Sequence, residues 1–223
     1  MFNIILATDN NGGIGLKNNL PWHFSKDFKF FNTITSNTNN ILEKSIVIMG
    51  RKTKDSIPLE NNMLPNRINI IISKNTFESS EKIIYVNSLQ DALNVSYQIN
   101  SNISNNIWVI GGSMIYEEAF YHPDLNLIYH TNINHVFNCD TFIKLPNCQK
   151  VKSVSSMDKN KRDNNNYTLI FNILQPIQNA EQKYLKLIKY VLNNGNLRET
   201  RNAKTISVFN QEISFDVSTR FPL

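Results

Sequence analysis

The chain has 223 residues, 41% of them hydrophobic and 18% charged, so a sizeable core can form and disorder of the whole chain is excluded. The net charge of +5 comes from basic residues spread along the sequence, and it suits anionic small molecules as well as nucleic acid. Cys139 and Cys148 form no CxxC pair and have no zinc-ligand spacing around them, so we expect free thiols in a reducing compartment and no metal site. The N-terminus has no signal-peptide or membrane-span pattern, so we expect a cytoplasmic protein that contacts no membrane.

Short β-branched runs alternate with helical patterns along residues 1–174. This order predicts an α/β fold with a mixed, mostly parallel central sheet flanked by helices. Helices are predicted to begin near Ser25, near Thr53, after Ser88 and after Gly112, with the Ser25 and Ser88 hydroxyls as caps. The last two strands flank a polar segment, which predicts an antiparallel hairpin. The predicted strands cover residues 2–6, 45–49, 68–72, 83–86, 107–110, 125–133, 151–157 and 167–174.

One carboxylate lies on the apolar stripe of the first predicted helix. Asp27 follows Phe24 by three residues and precedes Phe31 by four, so the three side chains share one face. Burying an ionised carboxylate there costs several kcal/mol unless donors meet it, and a heterocycle that offers an amine and a ring N–H would supply them. Alternatively, Asp27 stays in water and interacts with the helix dipole. Periodicity favours neither interpretation.

Glycines end two of the predicted strands immediately before helices, at Gly50 and at Gly111-Gly112. Free backbone N–H groups and the helix dipole attract phosphate at such positions, which lie where ligands bind in open α/β sheets. Arg51 and Lys52 beside the first glycine would suit an additional phosphate. Each element is also compatible with an ordinary turn, and the absence of a GxGxxG pattern argues against a standard dinucleotide fold.

Arg67 precedes a predicted strand and could pair bidentately with a substrate carboxylate. Most single arginines at strand starts are merely solvated, and the position alone favours that interpretation. The four histidines show no metal-ligand or triad spacing, so none of them is assigned a role.

Several short motifs occur together in residues 1–174 and resemble the dihydrofolate reductase family in its order and spacing. They are Ile14-Gly15, Leu20-Pro21-Trp22, Asp27, Phe31, Gly50-Arg51-Lys52-Thr53, Leu64-Pro65-x-Arg67, Val109-Ile110-Gly111-Gly112 and Tyr129-x-Thr131. The resemblance implies reduction of 7,8-dihydrofolate, with hydride passing from NADPH to C6 and a proton reaching N5 of the pterin. It also implies that antifolates bind.

The same resemblance implies a role for individual residues. Asp27 would be the catalytic acid that holds the pterin, and Thr131 would hydrogen-bond to both. Arg67 would take the substrate's α-carboxylate, and the mobile loop would be 9–22. The implied pocket is lined by Ile5, Ala7, Phe28, Phe31, Ile57 and Leu64.

The cofactor site implied by the resemblance surrounds the two glycine-ended strands and the loop. Met114 departs from many bacterial relatives, which carry arginine there, and Lys74 could compensate for it. The implied cofactor-binding residues are Ala7, Gly13, Ile14, Gly15, Asn18, Asn19, Leu20, Arg51, Lys52, Thr53, Ser73, Lys74, Gly111, Gly112, Ser113, Met114, Ile115 and Tyr116.

A new pattern begins near Ala180. We expect a linker at 175–180, then a helix that ends at Gly195, and a hairpin over 206–217 that turns at Asn210-Gln211. Residues 181–223 resemble the start of thymidylate synthase, with Arg201 at the position of its nucleotide-phosphate arginine. The resemblance implies a bifunctional enzyme of protist or viral type, truncated early in the synthase domain, whose full-length form dimerises through that domain.

Other functions remain open at this point. A non-catalytic nucleotide-binding module would also have glycine-ended strands, but Asp27 would then have no purpose. A pyrimidine reductase of riboflavin synthesis would share the fold but lack the stretch from Leu20 to Asp27. A nucleic-acid binder is disfavoured because basic and aromatic residues form no shared surface pattern.

Overall fold

An eight-stranded sheet organises the chain in the computed structural model. The structure describes residues 1–36, 45–59, 62–75, 77–80, 82–99, 106–178, 180–199, 204–208 and 211. The elements are β1 (Phe2–Thr8), β2 (Gly13–Gly15), α1 (Ser25–Ser36), β3 (Ile46–Gly50), α2 (Arg51–Asp55), β4 (Ile68–Ile72), β5 (Ile83–Val86), α3 (Leu89–Ile99), β6 (Ile107–Val109), α4 (Ser113–Phe120), β7 (Leu125–Ile133), β8 (Thr141–Phe142), β9 (Cys148–Lys159), β10 (Asn166–Pro176), α5 (Ala180–Asn194), β11 (Asn196–Glu199) and β12 (Lys204–Ser207).

The strand order is β5-β4-β3-β6-β1-β7-β10-β9. All neighbouring pairs from β5 to β7 are parallel, while β10 is antiparallel to both β7 and β9. The expectation of a mixed, mostly parallel sheet with a closing hairpin is therefore confirmed. The carboxyl ends of β1, β3 and β6 meet at one edge, where ligands bind in sheets of this kind.

Both faces of the sheet are buried at the central parallel strands β1, β3, β4 and β6, as their nearly continuous apolar runs require, whereas β9 is mostly exposed. Helices α3 and α4 pack on one face, around Leu93 and Phe120, and Ile4 and Ile70 point to them from the sheet. Helix α1 packs on the other face through its aromatic residues, against Val47 and neighbouring strand residues. Each fully buried side chain of this size contributes about 1.5–3 kcal/mol, so these two layers are the main source of stability.

Local signals explain several element boundaries. The Ser88 hydroxyl accepts the backbone N–H of Asp91 at 3.0 Å, so the predicted cap of α3 is present. The first turn of α1 differs, because the N–H of Lys26 donates to Asp158 at 2.7 Å, while Ser25 is itself the first helical residue. Helix α2 begins directly after Gly50, two residues earlier than predicted.

A two-stranded ribbon that the sequence did not predict joins β2 to β8, with Gly13 opposite Phe142 and Gly15 opposite Thr141. Two further hydrogen bonds extend this contact: Asp140 donates its N–H to the carbonyl of Gly15 at 2.9 Å and accepts the N–H of Lys17 at 2.7 Å. The ribbon fastens the segment after β1 to the segment after β7.

The C-terminal part contains the expected helix, α5, which ends before Gly195. Strand β12 pairs antiparallel with β11, with Leu197 opposite Ile206. The hairpin predicted over 206–217, with its turn at Asn210-Gln211, falls largely outside the described residues and stays a prediction. Residues 209–210 and 212–223 lie outside the described part, as does Arg201. Among the described residues, none of the helices has the length and apolarity that a membrane crossing needs.

Candidate active site

Asp27 lies on the face of α1 that packs on the sheet, and only 9% of its surface is exposed. Its side chain is hydrogen-bonded to Thr131 of β7, which is almost fully buried. Thr131 in turn stands opposite Ala7 of β1, near the carboxyl end of that strand. The carboxylate is therefore buried, and the alternative that leaves it in water is wrong.

Burial raises the pKa of Asp27 from 3.8 to about 6, because the surroundings solvate a carboxylate poorly. The hydrogen bond from Thr131 opposes this rise, and the negative charge of Asp158 adds to it. The carboxyl group can thus gain or lose a proton near neutral pH. A group with this property at the ligand-binding edge of a sheet is a candidate for acid–base chemistry.

The predicted pocket residues divide between two packed clusters beside Asp27. Ile5 and Leu64 belong to the cluster on the α1 face, and Phe31 and Ile57 pack against it. Ala7 packs instead against the cluster of Trp22 and Phe24. The ring of Phe28 is half-buried and contacts the ring of His23, with the centroids 4.8 Å apart. The cluster that contains Ile5 and Leu64, called the apolar wall below, fills the space between α1 and the sheet, and Phe31 on the Asp27 face of the helix packs against it.

Arg67 is 93% buried, and its guanidinium is already oriented by the protein. Its Nε donates to the carbonyl of Pro65 at 3.0 Å, and its two terminal nitrogens donate to Thr35 Oγ1 at 2.6 Å and to Asn32 Oδ1 at 3.3 Å. The guanidinium also faces the ring of Phe31, 5.8 Å from its centroid. Of five N–H donors, three are used among the described residues. One donor remains on each terminal nitrogen, which matches the two oxygens of a carboxylate.

The two glycine-ended strands meet in a crevice. The N–H of Gly50 donates to the carbonyl of Gly111 at 2.7 Å, which brings the starts of α2 and α4 together. Gly111 has a φ of +106°, and a Cβ there would lie 2.7 Å from the ring of Tyr116. A Cβ on Gly112 would lie 3.2 Å from Thr53 Oγ1, so the backbone is open to a ligand only because both residues are glycine.

Neither helix that starts at this crevice has a side-chain cap at its N-terminus. Their first-turn N–H groups are therefore not used by a cap and suit a pyrophosphate. Ser113 and Ile115 belong to the first turn of α4, whereas Met114 is 79% exposed and points to solvent. The hydroxyl of Tyr116 donates to the carbonyl of Ile5 at 2.9 Å, so Tyr116 supports the crevice from beneath it.

Exposed cations follow the carboxyl ends of β3 and β4. Arg51 and Lys52 occupy the first turn of α2, and Arg51 is 3.3 Å from the carboxylate of Asp55, an exposed pair that a phosphate could displace at little cost. Ser73 follows β4 and is buried, with its Oγ accepting the N–H of Asn75, while Lys74 is exposed. The positions are compatible with a nucleotide phosphate beside β3 and β4.

The predicted loop over the site includes β2 and the tight turn that follows it. Leu16 and Asn19 exchange backbone hydrogen bonds of 2.8 and 2.9 Å, and Asn18 between them has a φ of +60°. Gly13 and Gly15 pair with β8, Ile14 packs on the core, and the exposed side chain of Leu20 precedes the buried Trp22.

Two electrostatic influences that involve Asp27 were not anticipated from the sequence. Asp158 of β9 accepts the N–H of Lys26 in the first turn of α1, and its charge raises the pKa of Asp27. Burial raises the pKa of Tyr116 of α4, and the charge of Asp27 adds to that rise. These influences join residues that are far apart in the chain, so no local pattern indicates them. Among the described residues, no group of three His, Cys, Asp or Glu side chains could hold a metal ion.

Comparison with known proteins places this geometry in a family. The family model described as dihydrofolate reductase matches residues 1–176. The chain is 36% identical over 143 residues to a dihydrofolate reductase of Drosophila melanogaster, covering 63% of this chain and 78% of the relative. Over its whole length it is 28% identical to the bifunctional dihydrofolate reductase-thymidylate synthase 2 of Arabidopsis thaliana and 31% identical to a bifunctional relative of Paramecium tetraurelia.

The chain spans about half the length of these bifunctional relatives, 46% and 47% respectively. The match of the family model begins at residue 1 and ends with β10, so it includes the whole eight-stranded sheet and every residue of the site around Asp27. The chain belongs to the dihydrofolate reductase family of oxidoreductases.

Proposed function

We propose that the protein reduces 7,8-dihydrofolate to tetrahydrofolate with NADPH. The observation that carries this proposal is the buried carboxyl group of Asp27, bound to Thr131 and flanked by an apolar wall. Such a group needs hydrogen-bond donors from a ligand, and the amino group and ring N–H of a pterin supply two. The family membership makes the pterin the natural ligand.

NADPH would supply the hydride, which passes to C6 of the pterin. Gly111 to Ser113 and Thr53 would hold the pyrophosphate, while Arg51 and Lys52 would bind the 2′-phosphate. The approach of the two strand ends supports this assignment, because Gly50, Gly111 and Gly112 bring backbone without side chains to the crevice.

Asp27 would orient the pterin and retain a proton close to N5, since its raised pKa keeps part of the population protonated near neutral pH. Thr131 would fix the carboxyl group. Arg67 would bind the α-carboxylate of the glutamate tail with its two remaining donors, and antifolates that carry this tail would use the same contacts.

The test is NADPH oxidation by the purified protein with and without dihydrofolate, compared with an Asp27→Asn variant. Glu118→Gln is the matched control, because Glu118 is an exposed carboxylate on α4. We expect substrate-dependent turnover that Asp27→Asn lowers by about a hundredfold or more and that the control preserves. NADPH binding without any turnover in the folded wild type would instead support a non-catalytic nucleotide-binding module.

We also propose that residues 181–223 belong to a synthase domain through which a full-length form dimerises, and that residues 175–180 are a linker. The bifunctional relatives, which align with the whole chain, support this. A synthase domain needs a catalytic cysteine as its nucleophile. Both cysteines of these 223 residues, Cys139 and Cys148, precede residue 176 and so lie in the reductase part. We therefore expect no conversion of dUMP to dTMP by these 223 residues. Detectable conversion would contradict this part. A cytoplasmic location, with neither nucleic acid nor membrane as partner, remains part of the proposal.

A further inference from the structure

Asn69 is the one polar residue of β4, and only 1% of its surface is exposed. It stands opposite Val47 in the register of β3 and β4, on the sheet face that α1 covers. Burying a side-chain amide among isoleucines is unfavourable by a few kcal/mol unless the amide is hydrogen-bonded. We therefore expect the Asn69 amide to have hydrogen-bond partners for both its oxygen and its nitrogen.

Three hydrogen bonds satisfy this amide, and all of them go to the backbone of the loop before β4. Asn69 Oδ1 accepts the N–H of Leu64 at 3.0 Å, while Nδ2 donates to the carbonyls of Leu64 and Arg67, both at 3.1 Å. The side chain therefore satisfies backbone N–H and C=O groups of the loop in the way that a paired strand would satisfy them. It closes the loop from 64 to 67 into one fixed turn, in which Asn66 has a φ of +60°.

This turn carries two of the groups assigned to the substrate. Leu64 projects into the apolar wall, and Arg67 presents the guanidinium. The Nε of Arg67 returns to the carbonyl of Pro65 within the same turn, so the direction of the guanidinium depends on the turn keeping its shape. The far end of the guanidinium donates to the side chains of Thr35 and Asn32, which belong to α1 and not to the turn.

We propose that Asn69 is a positioning residue that sets substrate affinity by fixing the turn that presents Arg67 to the substrate's carboxylate. This inference rests on the proposed function. It predicts an effect mainly on substrates that carry the glutamate tail, because Leu64 is also held by packing in the cluster on the α1 face, and the pterin itself contacts Asp27 and Thr131 on other elements. A residue that only stabilised the fold would affect all substrates alike.

The experiment measures steady-state kinetics of wild type, Asn69→Ala and Asn69→Leu with dihydrofolate and with 7,8-dihydrobiopterin, which has the reducible ring and no carboxylate. For both variants we expect KM for dihydrofolate to rise about tenfold or more while kcat stays within about twofold, and KM for dihydrobiopterin to stay within about twofold. Asn172→Ala is the matched control. Asn172 is a buried asparagine of β10 that donates to the carbonyl of Ile170, and its replacement should leave both KM values unchanged.

A double-mutant cycle with Arg67→Leu tests the route of the effect. If Asn69 acts through Arg67, adding Asn69→Ala to Arg67→Leu should raise KM for dihydrofolate by less than about twofold further. Full additivity, or an equal loss with both substrates, would overturn the inference. A wild type that reduces neither substrate would contradict the proposed function instead. Should Asn69→Ala not fold, Asn69→Leu, which keeps the branching at Cγ, decides between these outcomes. If neither variant folds, Asn69 is a stability residue and the inference is wrong.

Discussion

Replacing Asp27 with asparagine should stabilise the folded protein while removing most of its activity. The rise in the pKa of Asp27 from 3.8 to about 6 means that folding disfavours the charged carboxylate by about 3 kcal/mol. Because the folded pKa lies above the unfolded one, the cost is absent below 3.8, grows between 3.8 and about 6, and is complete above about 6. The free energy of unfolding of the wild type therefore falls as pH rises through this window.

Urea unfolding of wild type and Asp27→Asn, without ligands, measures this cost. At about pH 8 we expect the variant to be more stable by about 3 kcal/mol, and at about pH 5 by about half as much, since part of the wild type is then protonated in the folded state. Glu118→Gln should change neither value. A variant no more stable than wild type at the higher pH, or a gap that does not narrow at the lower pH, would refute the electrostatic reasoning.

Further predictions concern turnover, the cofactor crevice, one helix cap and one thiol. Turnover should fall as pH rises through about 6, where Asp27 loses its proton, and a flat profile from about pH 5 to 8 would contradict this role. Gly111→Ala places a Cβ 2.7 Å from the Tyr116 ring, so NADPH affinity measured by fluorescence titration should drop at least about tenfold. Ser88→Ala should lower the free energy of unfolding by about 1 kcal/mol with kcat unchanged, and a larger loss of kcat would show a wider role for α3. Burial and the charge of Asp9 raise the pKa of Cys139 to about 11, so its alkylation near neutral pH should be much slower in the folded protein than in urea, and equal rates would contradict this.

Most elements of the sheet could be predicted because their signals are local. Strands 68–72 and 83–86 have the predicted bounds, since each is a short β-branched run bounded by turn residues. The ribbon between β2 and β8 could not be predicted, because strands of three and two residues have no periodicity and their pairing spans more than a hundred residues. The pairing of β11 with β12, which places Leu197 opposite Ile206, was not predicted for a similar reason, because each of these strands has only four residues.

The candidate site, like the fold, could be predicted only where the signals are local. Helical spacing placed Asp27 on the buried face of α1, although spacing alone could not show that the carboxylate is hydrogen-bonded to Thr131. The contact of Asp158 with Lys26 was missed because it replaces the local cap expected from Ser25. Asn69 did leave a signal, a single amide within an isoleucine-rich strand, but its partners become evident only when the turn before it is seen.

The position of β1 in the middle of the sheet limits when the protein can fold during synthesis. Strand β1 is made before the other strands of this sheet and pairs with β6 and β7, so more than a hundred residues separate it from the register partners that it needs. The outer edge of β7, the strand that carries Thr131, stays open until residues 166–176 are made, because β10 covers it. Such long-range pairings slow folding and leave strand edges exposed. Strand β10, the last strand of this sheet to be made, therefore completes the pairing of the strand that holds Thr131 beside Asp27. The α5 region is made only after the sheet is complete.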